Sequence, residues 1–339
     1  MNDSYLPFVL VLMASFFQGT FGLGMKKTSP LAWEVWWFLY AAVGMVAVPC
    51  IWASLVVPSL GTAITTAGAT PVALAAFFGF LWGVGGILFG LSVSYVGISL
   101  TYGIVMGLAG SVGSLVPLVQ GGGLGGPAAP YVLAGVGVMI AGVAVVAWAG
   151  MQRDRVVEVQ GVTRGRQFRL GMLIAVLSGV LSALLNVGFA NAAPVARAAE
   201  MGGANARNAS LAAWVVVLGG AFVMNASYCL MLLIRGRKLR VPRAEGSAAV
   251  AAGWAVLTGV LWFAALGVYG QGASLMGSLG PVIGWPMLLG LALIISNLWA
   301  IHAGEWMGAP GPMRLMFAGV AILIVACALL GYSNGLQGS

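Results

Sequence analysis

Charge is scarce in this chain. Only 6% of its 339 residues are Asp, Glu, Lys or Arg, against about 25% in soluble domains. Seven acidic residues and a single histidine supply neither a nucleophile–base pair nor a metal centre, which counts against a membrane-embedded enzyme and against a metal or other cofactor. Cysteine is equally sparse. Cys50, Cys229 and Cys327 are odd in number, form no CxxC pair and have no histidine neighbour, so disulfide and metal roles are not expected. Short alternating strands separated by turns, the signature of a transmembrane β-barrel, are missing too.

What is abundant is apolar length. Hydrophobic residues make up 61% of the chain and the mean hydropathy is +1.03, the composition of a polytopic protein embedded in a lipid bilayer. Runs long enough to span fall near 5–25, 33–57, 72–95, 98–119, 130–150, 169–191, 209–234, 248–270, 280–301 and 313–333. The sequence thus predicts an all-α membrane protein of ten helices. Only Asp3 precedes the first run, while Lys26 and Lys27 follow it. It therefore reads as a span and not as a cleaved signal, which needs a positive segment in front.

The net charge of +8 does not point to nucleic acid, because the cations sit in short loops. Thirteen of fifteen follow the odd-numbered spans: Lys26 and Lys27, five arginines between 153 and 169, five cations between 235 and 243, and Arg314. Arg197 and Arg207 alone lie on the other side. The positive-inside rule turns the thirteen toward the cytoplasm and both termini toward the periplasm.

An odd number of spans per half has a consequence. "LWGVGGILFGLSVSYVG" at 81–97 recurs as "LWFAALGVYGQGASLMG" at 261–277, with Leu81, Trp82, Gly90, Ser94 and Gly97 answered by Leu261, Trp262, Gly270, Ser274 and Gly277. The sequence predicts a first five-helix repeat over 1–150, a cytoplasmic linker over 151–168 and a second repeat over 169–339, the two inverted in the membrane. Inverted repeats belong to secondary transporters that expose one midplane site alternately to each side; a channel would not need halves that exchange exposure. Glycines four apart, Gly79 with Gly83, Gly86 with Gly90 and Gly103 with Gly107, let helices approach closely. Pro117, Pro281 and Pro286 are placed to break helical hydrogen bonding near the middle of the fold. The tract "QGGGLGGP" at 120–127 lacks the Lys-Ser/Thr ending of a phosphate loop and reads as an external turn.

Polar groups inside spans are the functional candidates, since each costs energy unless paired or hydrated. They are Gln18, Asn186, Asn191, Asn225 and Asn297, with Trp82, Trp262, Trp285, Tyr102 and Tyr269, the repeat counterpart of Phe89, among them. Amides donate and accept like sugar hydroxyls, and aromatic faces suit the C–H face of a sugar ring, so the set fits a neutral polyol. Interhelical amide bonds and core tryptophans are the competing reading of the same residues. Four titratable groups near the cytoplasmic edge, Lys27, Glu34, His302 and Glu305, are candidates for proton coupling, because a carboxylate in a partly dry cavity titrates closer to neutrality. Glu34 could equally pair with a lysine at the interface.

The stretches "GLGMKKTSPLAWEVWWFLYAAVGMVAVP", "LWGVGGILFGLSVSYVGISLTYGIVMGL", "SALLNVGF" and "LGPVIGWPMLLGLALIISNLWAIHAGEW" resemble the L-rhamnose–proton symporter family of the drug/metabolite transporter superfamily. The resemblance implies ten helices in two inverted halves, a central cavity and proton-driven uptake of a 6-deoxy sugar across a bacterial inner membrane. By position it covers Lys27, Trp33, Glu34, Trp37, Asn186, Trp262, Trp285 and Glu305. Gly24, Ala265 and the uncharged "SLGPVIG" depart from the pattern of enteric members. Transport is therefore the broader expectation and rhamnose the narrower; a drug/metabolite-type carrier for another small polar metabolite, driven by protons or sodium or uncoupled, is the alternative.

Overall fold

The computed structural model describes residues 5–156, 166–236 and 247–336. Among them every regular element is helical, and ten helices are long and apolar enough to cross a membrane. They are α1 Leu6–Met25, α2 Trp33–Val56, α3 Ala69–Val96, α4 Ile98–Gln120, α5 Ala129–Val156, α6 Gln167–Met201, α7 Ala206–Gly236, α8 Ala248–Leu275, α9 Gly277–His302 and α10 Pro310–Gly335. Lipid offers no partner for a backbone N–H or C=O, so an apolar run of this length must satisfy its own backbone as a helix. The main surprise in length is the sixth helix, which continues as Ala193–Met201. Its Arg197 and Glu200 made that segment too polar to join an apolar run.

The glycine-rich region over 72–120 is two helices separated at Gly97, whose φ of +85° only glycine adopts without strain. Gly277, its repeat counterpart, has φ +70° just past the end of α8. In both copies a serine three residues earlier turns its hydroxyl back onto the helix. Ser94 Oγ donates to Leu91 O at 2.7 Å, and Ser274 Oγ donates to Gln271 O at 2.9 Å. The repeated segment is a helix ending, written twice.

Two of the prolines break helical hydrogen bonding inside spans as expected, and the helices stay continuous. Pro281 occupies the first turn of α9, where its missing N–H is harmless. Pro117 and Pro286 lie inside continuous helices. Each removes the N–H that would bond the carbonyl four residues back, and a side chain replaces it. Asn186 Nδ2 donates to Gly113 O at 2.8 Å, and Ser114 Oγ donates to Val282 O at 2.5 Å. The departure from α geometry falls elsewhere, in the π-helical Ala42–Ala47 just before Pro49.

The chain divides into two compact units. The first comprises Met1–Gly83 and Gly188–Leu275, the second Val84–Val187 and Met276–Ser339, so each draws on both halves of the sequence. In the first unit α1 lies along α8, and α2 packs on α7 and α8. In the second α5 lies along α10, and α4 packs on α5 and α9. Gly79 and Gly83 face α7, where a Cβ would strike Val217 O or Met224. Gly103 meets Ala147 in the same way, whereas Gly86 and Gly90 face open space.

Candidate functional site

One face of α2 carries Trp33, Trp37 and Tyr40, spaced i, i+4, i+7 so that their side chains align along the helix. Trp33 stacks on Trp37 with centroids 5.2 Å apart and planes at 16°. Trp37 tilts against Tyr40 at 5.0 Å, and Tyr40 meets Trp262 of α8 edge-on at 5.7 Å. Trp262 in turn stacks on Trp82 of α3 at 5.5 Å and 22°. Five rings thus form a continuous column within the first unit. Gly44 makes room for it, since a Cβ there would sit 3.3 Å from Trp262 Cε3 and 2.9 Å from Gly259 O. The Trp37 indole is held by Asn225, whose Oδ1 accepts its Nε1–H at 2.8 Å while Nδ2 donates to Ala221 O at 2.9 Å.

Trp82 and Trp262, both expected near the substrate, are therefore brought together, but their rings touch and leave no gap for a sugar between them. Gln18 belongs to the same unit, and its Oε1 is buried without a hydrogen-bond partner among the described residues. Tyr269 is fully buried in a separate aromatic cluster, 5.8 Å from Phe189 and 6.2 Å from Trp214. Asn191 closes the helix Arg166–Asn191, half-buried.

The remaining candidates sit in the second unit and bond its backbone carbonyls. Asn186 is fully buried; its amide nitrogen bridges Gly113 O and Pro281 O, each at 2.8 Å. Trp285 Nε1 donates to Ala109 O at 2.9 Å, and Gly113 must be glycine for that approach, because a Cβ would lie 2.7 Å from the same nitrogen. Asn297 Nδ2 donates to Leu293 O of its own helix at 2.9 Å.

The titratable candidates divide in the same way. In the first unit the Lys27 ammonium lies 4.4 Å above the Trp254 ring, a cation–π contact. Glu34, half-buried in the first turn of α2, lies close enough to Cys229 to act on it electrostatically, and Lys27 and Glu34 form no ion pair with each other. In the second unit Arg153 Nη1 lies 3.5 Å from Glu305 Oε2 and its Nη2 2.7 Å from Asp154 Oδ1. Its guanidinium also covers the Trp306 ring at 5.1 Å. Ser99 Oγ donates to Asp154 Oδ2 at 2.6 Å, tying the start of α4 to the end of α5. His302 is exposed, edge-on to Trp299 at 6.2 Å.

In a ten-helix membrane protein, aromatic faces and amides are groups able to contact a polar solute. A profile of the L-rhamnose-proton symport protein (RhaT) family matches residues 4–335. The chain belongs to that family. RhaT proteins are symporters, so this is a multi-pass membrane transporter and not an enzyme. Curated relatives named L-rhamnose-proton symporter include those of Pectobacterium atrosepticum, 26% identical over 320 residues, and Pectobacterium carotovorum subsp. carotovorum, 27% identical over 323 residues. That of Yersinia pestis is 26% identical over 321 residues. Each alignment covers 90% of this chain and 91% of the relative. A solved crystal structure shares the fold, with a TM-score of 0.61 and 17% identity over 95% of this chain and 94% of the other.

Three residues of consequence were not singled out from the sequence. Tyr40 was legible in principle, since it continues the Trp33–Trp37 stripe at helical spacing. Ser114 and Arg153 were not, because their partners Val282 and Glu305 are 168 and 152 residues away.

Proposed function

We propose that the protein imports a neutral sugar, L-rhamnose or a related 6-deoxy sugar, by proton symport through alternating access of two inverted halves of the drug/metabolite transporter type. The Trp82–Trp262 stack carries the reading. Residues 180 apart in the repeated segments meet ring to ring, as symmetry-related residues do where they approach a twofold axis, and inverted repeats of carriers place the substrate at that interface. Packing of α2 on α7, α4 on α9 and α5 on α10 supports the same symmetry, each helix lying against the one five further on. Family membership supports the sugar and the proton. The column, built of aromatic faces and amides without an ion pair, supports a neutral substrate.

Glu34 is the coupling carboxylate in this reading, with Lys27 beside the same edge. It is half-buried and unpaired among the described residues, whereas Glu305 is engaged by Arg153 and His302 is exposed. A neutral Glu34 permits sugar-loaded closure, and an ionised one resists entering a drier environment. One charge crossing 100 mV supplies about 2.3 kcal/mol, which at ~1.4 kcal/mol per tenfold sustains roughly a fortyfold sugar gradient.

Proteoliposomes with acid outside and a panel of neutral sugars test this directly. L-Rhamnose or a close relative should accumulate, and Glu34→Gln should exchange sugar without concentrating it. Accumulation driven by sodium with no proton gradient, or no accumulation of any neutral sugar, overturns the proposal. The orientation, termini periplasmic in a bacterial inner membrane, rests on the thirteen-to-two division of Lys and Arg; of the linker 151–168, residues 157–165 lie outside the described residues. Met201 and Met307 are 77% and 79% exposed at opposite expected sides. An impermeant thiol reagent added to whole cells should label Met201→Cys and spare Met307→Cys, and the opposite pattern inverts the topology.

A further inference from the structure

A transport site for a polyol needs more than aromatic faces: it needs hydrogen-bonding atoms that the protein itself does not satisfy. In the interior of a membrane protein such atoms are costly, roughly 1–3 kcal/mol each when left unpaired, and most are paired in consequence. Two side-chain oxygens of the first unit make no hydrogen bond among the described residues. Tyr40 is only 2% exposed, and its hydroxyl takes part in no hydrogen bond among the described residues. Its ring is held on two sides, against Trp37 at 5.0 Å and edge-on to Trp262 at 5.7 Å. Gln18 Oε1 is the second. Three buried side-chain polar atoms lack a partner among the described residues, Gln18 Oε1, Trp214 Nε1 and Trp306 Nε1, and that of Gln18 is the one acceptor.

The depth of Gln18 follows from the packing of α1 along α8. Gly272 lies against Pro7, Leu10 and Val11 near one end, and Gly24 lies against Thr258 and Trp254 near the other. The two helices run antiparallel with a nearly residue-for-residue register. Gln18 is therefore level with the turn of α8 that carries Trp262, the ring on which Tyr40 and Trp82 converge. A donor–acceptor hydroxyl and a bare amide acceptor thus occupy the level of the stacked tryptophans.

We infer that Tyr40 and Gln18 are the hydroxyl-recognising residues of the sugar site, Tyr40 exchanging a hydrogen bond with one sugar hydroxyl and Gln18 Oε1 accepting from another, while the tryptophans contact the C–H face of the ring. This rests on the transport reading and adds to it the residues that distinguish a hydroxylated ring from an apolar one. It also accounts for a tyrosine at position 40: phenylalanine would fill the same place in the column without a hydroxyl that bonds nothing among the described residues.

The test is sugar binding to the purified full-length protein, followed by tryptophan fluorescence, together with its unfolding temperature in the absence of sugar. Tyr40→Phe and Gln18→Met preserve shape and remove one hydrogen-bonding group each. Each should weaken L-rhamnose binding roughly two- to tenfold, the effect of one neutral hydrogen bond. The sugar-free unfolding temperature should stay level or rise, because no intramolecular bond is lost. A purely structural role predicts the reverse, a lower unfolding temperature with unchanged affinity, and that result overturns the inference. So does wild-type binding that neither substitution alters. A wild-type protein that binds no neutral sugar overturns the transport reading, and this inference falls with it.

Discussion

The two units differ in how they engage their polar and aromatic side chains. In the second unit four buried side chains donate to backbone carbonyls, Asn186 to Gly113 and Pro281, Ser114 to Val282, Ser178 to Gly85 and Trp285 to Ala109, while Trp306 Nε1 has no partner among the described residues. Two of those carbonyls are the ones that Pro117 and Pro286 leave without a helical donor. In the first unit the rings of Trp33, Trp37, Trp262 and Trp82 contact other rings, Trp37 Nε1 donates to Asn225 Oδ1, and the Tyr40 hydroxyl, Gln18 Oε1 and Trp214 Nε1 have no hydrogen bond among the described residues. A satisfied network fixes one arrangement of helices. An unsatisfied set in an aromatic surround keeps hydrogen-bonding capacity for something that arrives from outside. Polar residues within spans are thus of two sorts, and the partner, not the residue type, tells them apart.

The sharpest way to break this contrast is Asn186→Leu. It strips the donor from Gly113 O and Pro281 O inside lipid, and at roughly 1–3 kcal/mol per orphaned group the variant should lose several kcal/mol of stability. Folded yield and unfolding temperature measure it. A variant as stable as the wild type but poor in sugar binding would move Asn186 from the frame to the site. Trp82→Ala should have an intermediate effect. Trp82 is half-buried, and its stacked partner loses ~0.5–1.5 kcal/mol beyond the area term, while sugar affinity should fall at least tenfold. Unchanged affinity would detach the column from the substrate. Arg153→Ala should have the smallest effect. Its partners are partly exposed, so the loss should be ~1 kcal/mol or less and shrink further in high salt. Sugar accumulation driven by a pH gradient should survive it; abolished coupling would bring Glu305 back as the proton site in place of Glu34.

Much of the architecture was legible because it depends on local quantities. Ten helices follow from ten apolar lengths, since the backbone of each span must be satisfied within the span itself. The repeated Leu-Trp segment was visible as identities at a constant offset, and its glycine and serine then proved to be a shared helix ending. The site was only partly legible. Gln18, Trp82 and Trp262 were among the candidates, and Tyr40 could have been added from the Trp33–Trp37 spacing. Asn186, Trp285 and Asn297 looked identical in kind to Gln18, yet the fold supplies each of them with a carbonyl.

What the sequence by itself determined, then, is how many apolar helices the chain forms and which faces carry aromatic rings, because composition and spacing act over a few residues. Only the tertiary structure decided which polar groups are satisfied. The carbonyl freed by Pro117 is answered from α6, the one freed by Pro286 from α4, and Trp82 meets Trp262 across 180 residues of chain. Those pairings are set by which helices pack together, and packing is the one quantity that no single segment contains.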